Sequence, residues 1–273
     1  LNIIFFNTIT ALAWGDSDDG RPEYTVDQIN GLYEKGEWDD KVVFNSIKDS
    51  TIGHEFNFVS ARDDSINQGV DNIWNANEIV AEDGKTYLIR MYVHNKGKSE
   101  ENWRETGEGV ATNTHVFFNI PQAVGTEIKV EGFIDADNAT PNEYWDDVIF
   151  KSSNGASFHL EYVRDSAMIY NNGYAAGGQG KALSNDIVDK EEGTLIGYDG
   201  PDGNVPGCYE YANYITVSVK AVYDSEYTIQ KSVRIASTTG KNWTDNLEVK
   251  IGDELEYQIL YKNTGNVDQY NVM

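Results

Sequence analysis

Cysteine, proline and positive charge are scarce in this chain: one Cys, five Pro, and 21 Lys plus Arg against 45 Asp plus Glu in 273 residues. A lone Cys208 closes no internal disulfide and assembles neither a thiolate zinc site nor a redox pair, so stability has to come from packing. Next to Pro206 and Gly207 its thiol reads as a small buried or half-buried side chain rather than a reactive one. Few cysteines do not exclude secretion. The formal charge of −24 repels phosphate backbones and anionic lipid surfaces, so nucleic acid is not an expected partner. No run is long and apolar enough to span a bilayer.

Reactive signatures are equally sparse. The four histidines, His54, His94, His115 and His159, show no i, i+2 or i, i+4 pairing and read as structural or exposed. No Gly-x-Ser-x-Gly elbow surrounds a serine, and the four glycines of 173–180 lack the strand, helix and Lys-Ser/Thr context of a phosphate loop. No catalytic residue is assigned.

What the chain does have is apolar and aromatic material, 40% apolar residues with 17 Tyr, 10 Phe and 6 Trp, enough for one large or two ordinary cores. With frequent Val, Ile and Thr and 25 Gly, this favours strands separated by turns. Strand-like runs fall at 42–47, 55–61, 86–94, 114–120, 127–133, 148–150, 157–163, 167–170, 214–222 and 228–235. Residues 25–35 could form a short helix or an ordered excursion. The expectation is an all-β chain: a large β-sandwich followed by the start of a second, Ig-like β-sandwich.

A repeated local pattern supports that division. Residues 84–97 and 252–265 align without a gap, sharing Gly84/Gly252, Asn95/Asn263 and Gly97/Gly265, with Ile89, Met91 and Val93 in phase with Tyr257, Ile259 and Tyr261. A period of two closed by Asn-x-Gly predicts a strand with one buried face and a turn whose residues tolerate positive φ. A finished strand before residue 225 and a new one after it place a boundary there. The opening run before Ala11-Leu12-Ala13 has the apolar and small-x-small pattern of a secretory signal with cleavage after Ala13, although 3–9 could instead pack as a first strand. The expected organisation is therefore 1–13 signal remnant, 14–225 large sandwich and 226–273 truncated repeat, a fragment of a longer polypeptide.

Acidic clusters are the candidate metal sites. Asp16, Asp18 and Asp19 form one; Asp135 and Asp137 with Asn138 form a second; Asp199 and Asp202 with Asn204 form a third. Calcium accepts such oxygens from loops, but none fits the twelve-residue calcium loop, and solvated turns explain them as well. Trp103 and Trp145, in polar and acidic surroundings like Trp38 and Trp243, are candidate planes for stacking on sugars, or plugs at the ends of the sandwich. Glu143, Asp146 and Asp147 are the place to look for a glycosidase carboxylate pair. Lys231 with Glu254 or Glu256 could supply two partners of a Lys to Asn side-chain bond.

Lys231-Ser232-Val233-Arg234, Asn242-Trp243-Thr244-Asp245, Val249-Lys250-Ile251-Gly252-Asp253, 256–265 and 267–272 resemble the start of the Ig-like conserved repeats of bacterial cell-surface proteins. Residues 43–47, 55–59, 90–95, 136–141 and 197–208 are similar to the large β domain that precedes such repeats in secreted bacterial proteins. The resemblance implies an extracellular location at the cell surface or wall, with further domains in the same chain, and carries no catalytic residue. Together these features lead to a non-enzymatic surface protein, structural or adhesive, with a cell-wall, glycan or host-surface ligand. The alternative is a glycan-binding accessory module of a larger secreted enzyme.

Overall fold

The computed structural model describes residues 13–14, 21–65, 74–98, 107–223, 227–237 and 243–265. Trp103, the run 3–9, Asp16, Asp18, Asp19 and 267–272 lie outside the described residues. The chain is all-β and sandwich-like. Its strands are β1 (Ala13–Trp14), β2 (Val59–Asp63), β3 (Asn75–Ala81), β4 (Thr86–Val93), β5 (His115–Asn119), β6 (Glu127–Asp135), β7 (Glu143–Ser152), β8 (Phe158–Tyr162), β9 (Met168–Tyr170), β10 (Lys181–Ala182), β11 (Thr194–Leu195), β12 (Asn213–Tyr223), β13 (Tyr227–Ile235) and β14 (Leu255–Asn263).

One layer runs β10-β9-β12-β4-β2-β3 and the other β3-β7-β6-β5-β11, with β8 beside the second half of β12 and β1 beside β7. Strand β3 belongs to both layers. Its Asn75 and Ala76 pair antiparallel with β2, its 77–81 segment pairs parallel with β7, and Asn77 takes φ 70° where it changes sheet. A strand that bends from one sheet into the other makes a corner of a sandwich.

Alternation decides what faces inward. Tyr87, Ile89, Met91 and Val93 of β4, Ile128, Val130 and Ile134 of β6, and Ile215, Val217 and Val219 of β12 are all buried in one core. Each fully buried side chain of this size contributes roughly 1.5–3 kcal/mol relative to exposure. The layers meet closely at Gly132 of β6, where a Cβ would lie 2.6 Å from Val59 Cγ2 and 2.7 Å from Met91 Cε. Asp146 of β7 is also in this interface, 1% exposed, its Oδ2 accepting the Val59 N–H at 2.7 Å.

Of the two readings of 25–35, the helix is the one found, as α1 (Val26–Lys35), and it is capped at both ends. Thr25 Oγ1 accepts the Gln28 N–H at 3.0 Å, Gln28 Oε1 accepts the Thr25 N–H at 2.6 Å, and Gly36 closes the helix at φ 69°. The expected strand over 42–47 is instead an irregular segment with isolated bridges from Val42 to Ala139 and Phe44 to Asn95. Its Asn45 turns out of the extended region at φ 47°, and the buried amide then clamps β4, donating to Tyr92 O at 2.9 Å and accepting the His94 N–H at 2.9 Å.

The two Asn-x-Gly turns are built alike, though not by positive φ at Asn95 or Gly97 as expected. The side-chain oxygen of Asn95 accepts the Gly97 N–H at 2.8 Å, and that of Asn263 accepts the Gly265 N–H at 3.0 Å. Strands β13 and β14 form a separate two-stranded sheet, registered from Tyr227–Asn263 to Ile235–Leu255. Here Tyr257 and Ile259 are exposed, as is Ile229 of β13, whereas the β4 counterparts Ile89 and Met91 are core. A helix, α2 (Asp186–Asp189), caps the strands near β5, and among the described residues no helix is long and apolar enough to cross a membrane.

Candidate functional site

The other phase of β4, Leu88, Arg90 and Tyr92, lies on the opposite face of the first layer, half-buried at Leu88 and Arg90 and fully buried at Tyr92. Register then builds the site from strands distant in sequence. Arg90 lies between Ser60 of β2 and Thr216 of β12, and Tyr92 lies beside Tyr214, which lies beside Tyr170 of β9. Directly opposed residues have Cβ atoms about 5 Å apart, so each row is continuous. The walls come from α1, the 50–57 loop, the glycine turns at 177–178 and the 3-10 turn Tyr209–Tyr211.

The result is a trough of three adjoining cavities. One of about 620 Å³ has Tyr33, Trp38, His94 and Tyr209 in its lining. A second, about 690 Å³, is lined by Arg62, Trp74, Arg90, Tyr170 and Tyr214 among others. A third of about 310 Å³ joins them through Tyr170, Tyr209 and Tyr214. Thr51 borders the first two, and its hydroxyl meets the Tyr209 hydroxyl at 2.9 Å.

At the inner wall of the first cavity, His94 Nδ1 is 3.0 Å from both oxygens of Glu55, which is completely buried and also accepts the Ile47 N–H at 3.0 Å. A carboxylate in that position holds the Nδ1 proton and sets the ring's orientation. The Tyr209 ring meets His94 edge-on at 6.3 Å, and Trp38 is fixed by donating Nε1–H to Lys96 O at 2.8 Å. Cys208 borders the cavity at φ 104°, an unfavourable conformation for a side-chain-bearing residue, and burial pushes its thiol up. It is half-buried, in line with the sequence reading, and is not poised as a thiolate. Gly207 is obligatory beside it: a Cβ there would overlap the carbonyl of Gly97, which runs alongside.

Other sequence candidates lie elsewhere. Trp145 sits half-buried on the outer side of the second layer, paired with Phe133, with Lys129 Nζ 5.5 Å from its ring centre. Glu143 and Asp147 share its face but stand four residues apart, about 13 Å along a strand, and Asp146 points into the core. The three do not form the close pair that glycoside cleavage needs. Asp135 is instead opposite Glu143, and burial pushes both carboxyls up, aided by their mutual repulsion at Glu143.

Asp137 accepts from Asn113 Nδ2 at 3.1 Å, while Asp202 folds onto Asn204, taking its N–H at 3.0 Å and its Nδ2 at 3.2 Å. The calcium candidates are thus divided, Asp135 at the end of β6 with Asp137 just after it, and Asp199 and Asp202 in a separate loop. Among the described residues no three acidic, His or Cys side chains gather around a point. Lys231 lies over the Tyr257 ring at 5.0 Å, and Glu256 is bound by Arg234 at 2.6 Å.

Sequence reasoning missed Glu55, His94, Arg62, Trp74 and Arg90. The available signal was the cation in the outward phase of β4, at Arg90 between Leu88 and Tyr92, where a strand facing only water needs no aromatic neighbours. Compared with known proteins, the chain matches no family model, no curated protein and no solved structure.

Proposed function

We propose that this chain is a non-catalytic binding protein of the cell exterior that holds a saccharide in the trough across its first sheet, in the setting of a surface protein carrying Ig-like repeats. The observation that carries this reading is the continuous lining of Tyr33, Trp38, Trp74, Tyr170, Tyr209 and Tyr214 beside buried and half-buried polar groups. Rings offer flat apolar area to the C–H faces of sugars, and fixed donors select hydroxyl positions. The trough is long and open, the shape a chain of sugar units needs. A surface location is supported by the resemblance of residues 228–273 and by the signal-like pattern at 1–13. An adhesin and an accessory module of an enzyme would use the trough in the same way.

Affinity electrophoresis through gels containing a panel of neutral and acidic polysaccharides tests this. At least one should retard the protein, and Tyr214→Ala or Tyr209→Ala should reduce that retardation severalfold while melting stays cooperative. Retardation by none of them, or by one of them equally in both variants, would refute the trough as a saccharide site.

A further inference from the structure

In a chain with 45 acidic and 21 basic residues, a cavity that gathers cations and no acid runs against the overall charge. The lining of the second cavity of the trough contains Arg62, Arg90 and His54 and no Asp or Glu among the described residues. Arg90 makes no ion pair with any described residue, and its Nε is buried without a hydrogen-bond acceptor. Two neighbouring groups share that condition. The indole N–H of Trp74 and the hydroxyl of Ser60 are buried without a hydrogen-bond partner among the described residues, and both border the same cavity.

Geometry gathers these groups. Ser60 is the direct cross-strand neighbour of Arg90, and the Arg90 guanidinium lies 4.4 Å from the centre of the Trp74 ring. Arg62, opposite Leu88 on β2, lies 4.6 Å from the same ring. The two guanidiniums therefore share one indole, and the positive charge is concentrated at the floor of the groove. Holding a cation out of water without a counter-charge is costly. Burial indeed pushes Arg90 down to about 10, which still leaves it charged at neutral pH. A water molecule could satisfy Ser60 or the indole, but it would not neutralise the guanidinium. An oxyanion does both, because its several lone pairs accept from a forked guanidinium and from neighbouring donors together.

Resting on the saccharide reading of the trough, we infer that its second cavity recognises an acidic sugar, binding a carboxylate or sulfate through Arg90 with help from Trp74 Nε1–H, the Ser60 hydroxyl and the charge of Arg62. The flanking Tyr170 and Tyr214 would take the faces of the adjoining sugar rings. A protein of this net charge repels polyanions at long range, so a local cationic floor selects acidic chains by contact rather than by steering.

The test is calorimetric titration of the protein, the Arg90→Gln variant and the Ser60→Ala variant with oligogalacturonate, with a chondroitin sulfate oligosaccharide and with a neutral cello-oligosaccharide. In parallel, the Trp74 indole N–H resonance is followed by NMR as sodium sulfate replaces sodium chloride at constant ionic strength. Tighter binding of one acidic ligand than of the neutral one is expected. It should weaken at least tenfold in Arg90→Gln and less in Ser60→Ala, and the acid preferred, uronate or sulfate, identifies the group bound. Sulfate should shift the Trp74 resonance in the native protein and not in Arg90→Gln.

Equal affinity for neutral and acidic ligands, or unchanged affinity for the acids in Arg90→Gln, overturns the acidic-sugar inference and leaves the trough reading intact. If no saccharide binds, both the trough reading and the acidic-sugar inference fail. The sulfate titration then shows separately whether an oxyanion site exists at Arg90. Should Arg90→Gln lose its cooperative melt, Ser60→Ala and the NMR titration of the native protein still decide.

Discussion

Asp146 offers the sharpest physical test of the interface between the two layers. It is 1% exposed, and burial pushes its carboxyl from an ordinary 3.8 to about 7, with the Val59 and Asp147 N–H groups opposing, the Asp147 charge adding, and Arg21 opposing. Raised folded-state affinity for a proton means that between these two values the folded protein holds a proton the unfolded chain has lost. Stability contributed by the protonated carboxyl is present in full below pH 4 and is lost as pH rises through about 7. Three decades of pH at about 1.4 kcal/mol each set the loss at up to ~4 kcal/mol, an upper estimate.

In Asp146→Asn, the side-chain oxygen still accepts the Val59 N–H and no charge forms. Every other titrating group is common to both proteins, so the difference between their unfolding free energies isolates this carboxyl. Urea denaturation at half-unit steps from pH 4.5 to 8.5 should show the native protein losing stability relative to Asp146→Asn by several kcal/mol, with most of the change between pH 5 and 7. A difference that does not vary with pH would refute the burial of Asp146 between β2 and β7.

Gly132→Ala should lower stability by about 1–3 kcal/mol, because the added methyl meets Val59 Cγ2 and Met91 Cε at under 3 Å; an unchanged melting temperature would show that the layers stand further apart. Glu55→Gln keeps the volume but turns one of the two acceptors of the His94 and Ile47 N–H groups into a donor, at a cost of about 1–3 kcal/mol. Its checkable consequence is faster amide exchange at Ile47 and a shifted His94 ring resonance, and neither would change if the pair were solvent-exposed.

Several features could be read directly along the chain. The alternation in β4, β5, β6 and β12 gave the all-β class and the inward residues, because a period of two is a property of consecutive positions. The helix at 25–35 stood only as one of two readings, although the capping bonds of Thr25, Gln28 and Gly36 that hold it are as local, spanning three or four residues. The Asn-x-Gly turns after Val93 and Tyr261 also formed locally, although through the asparagine side chain rather than through positive φ.

What tertiary structure alone decided was which outward residues became neighbours. Ser60, Arg90 and Thr216 are joined by register across β2, β4 and β12, and Tyr170 reaches Tyr214 because β9 pairs with the first half of β12. Glu55, in the turn before β2, and His94, just past the end of β4, likewise meet only through tertiary packing, where Asn45 clamps the chain after β4. The opposite outcome befell Glu143, Asp146 and Asp147, adjacent in sequence yet divided between the two faces of β7. Sequence sets the period with which side chains alternate, whereas the partner of a strand follows from how all the inward faces pack together, and the trough is made of partners.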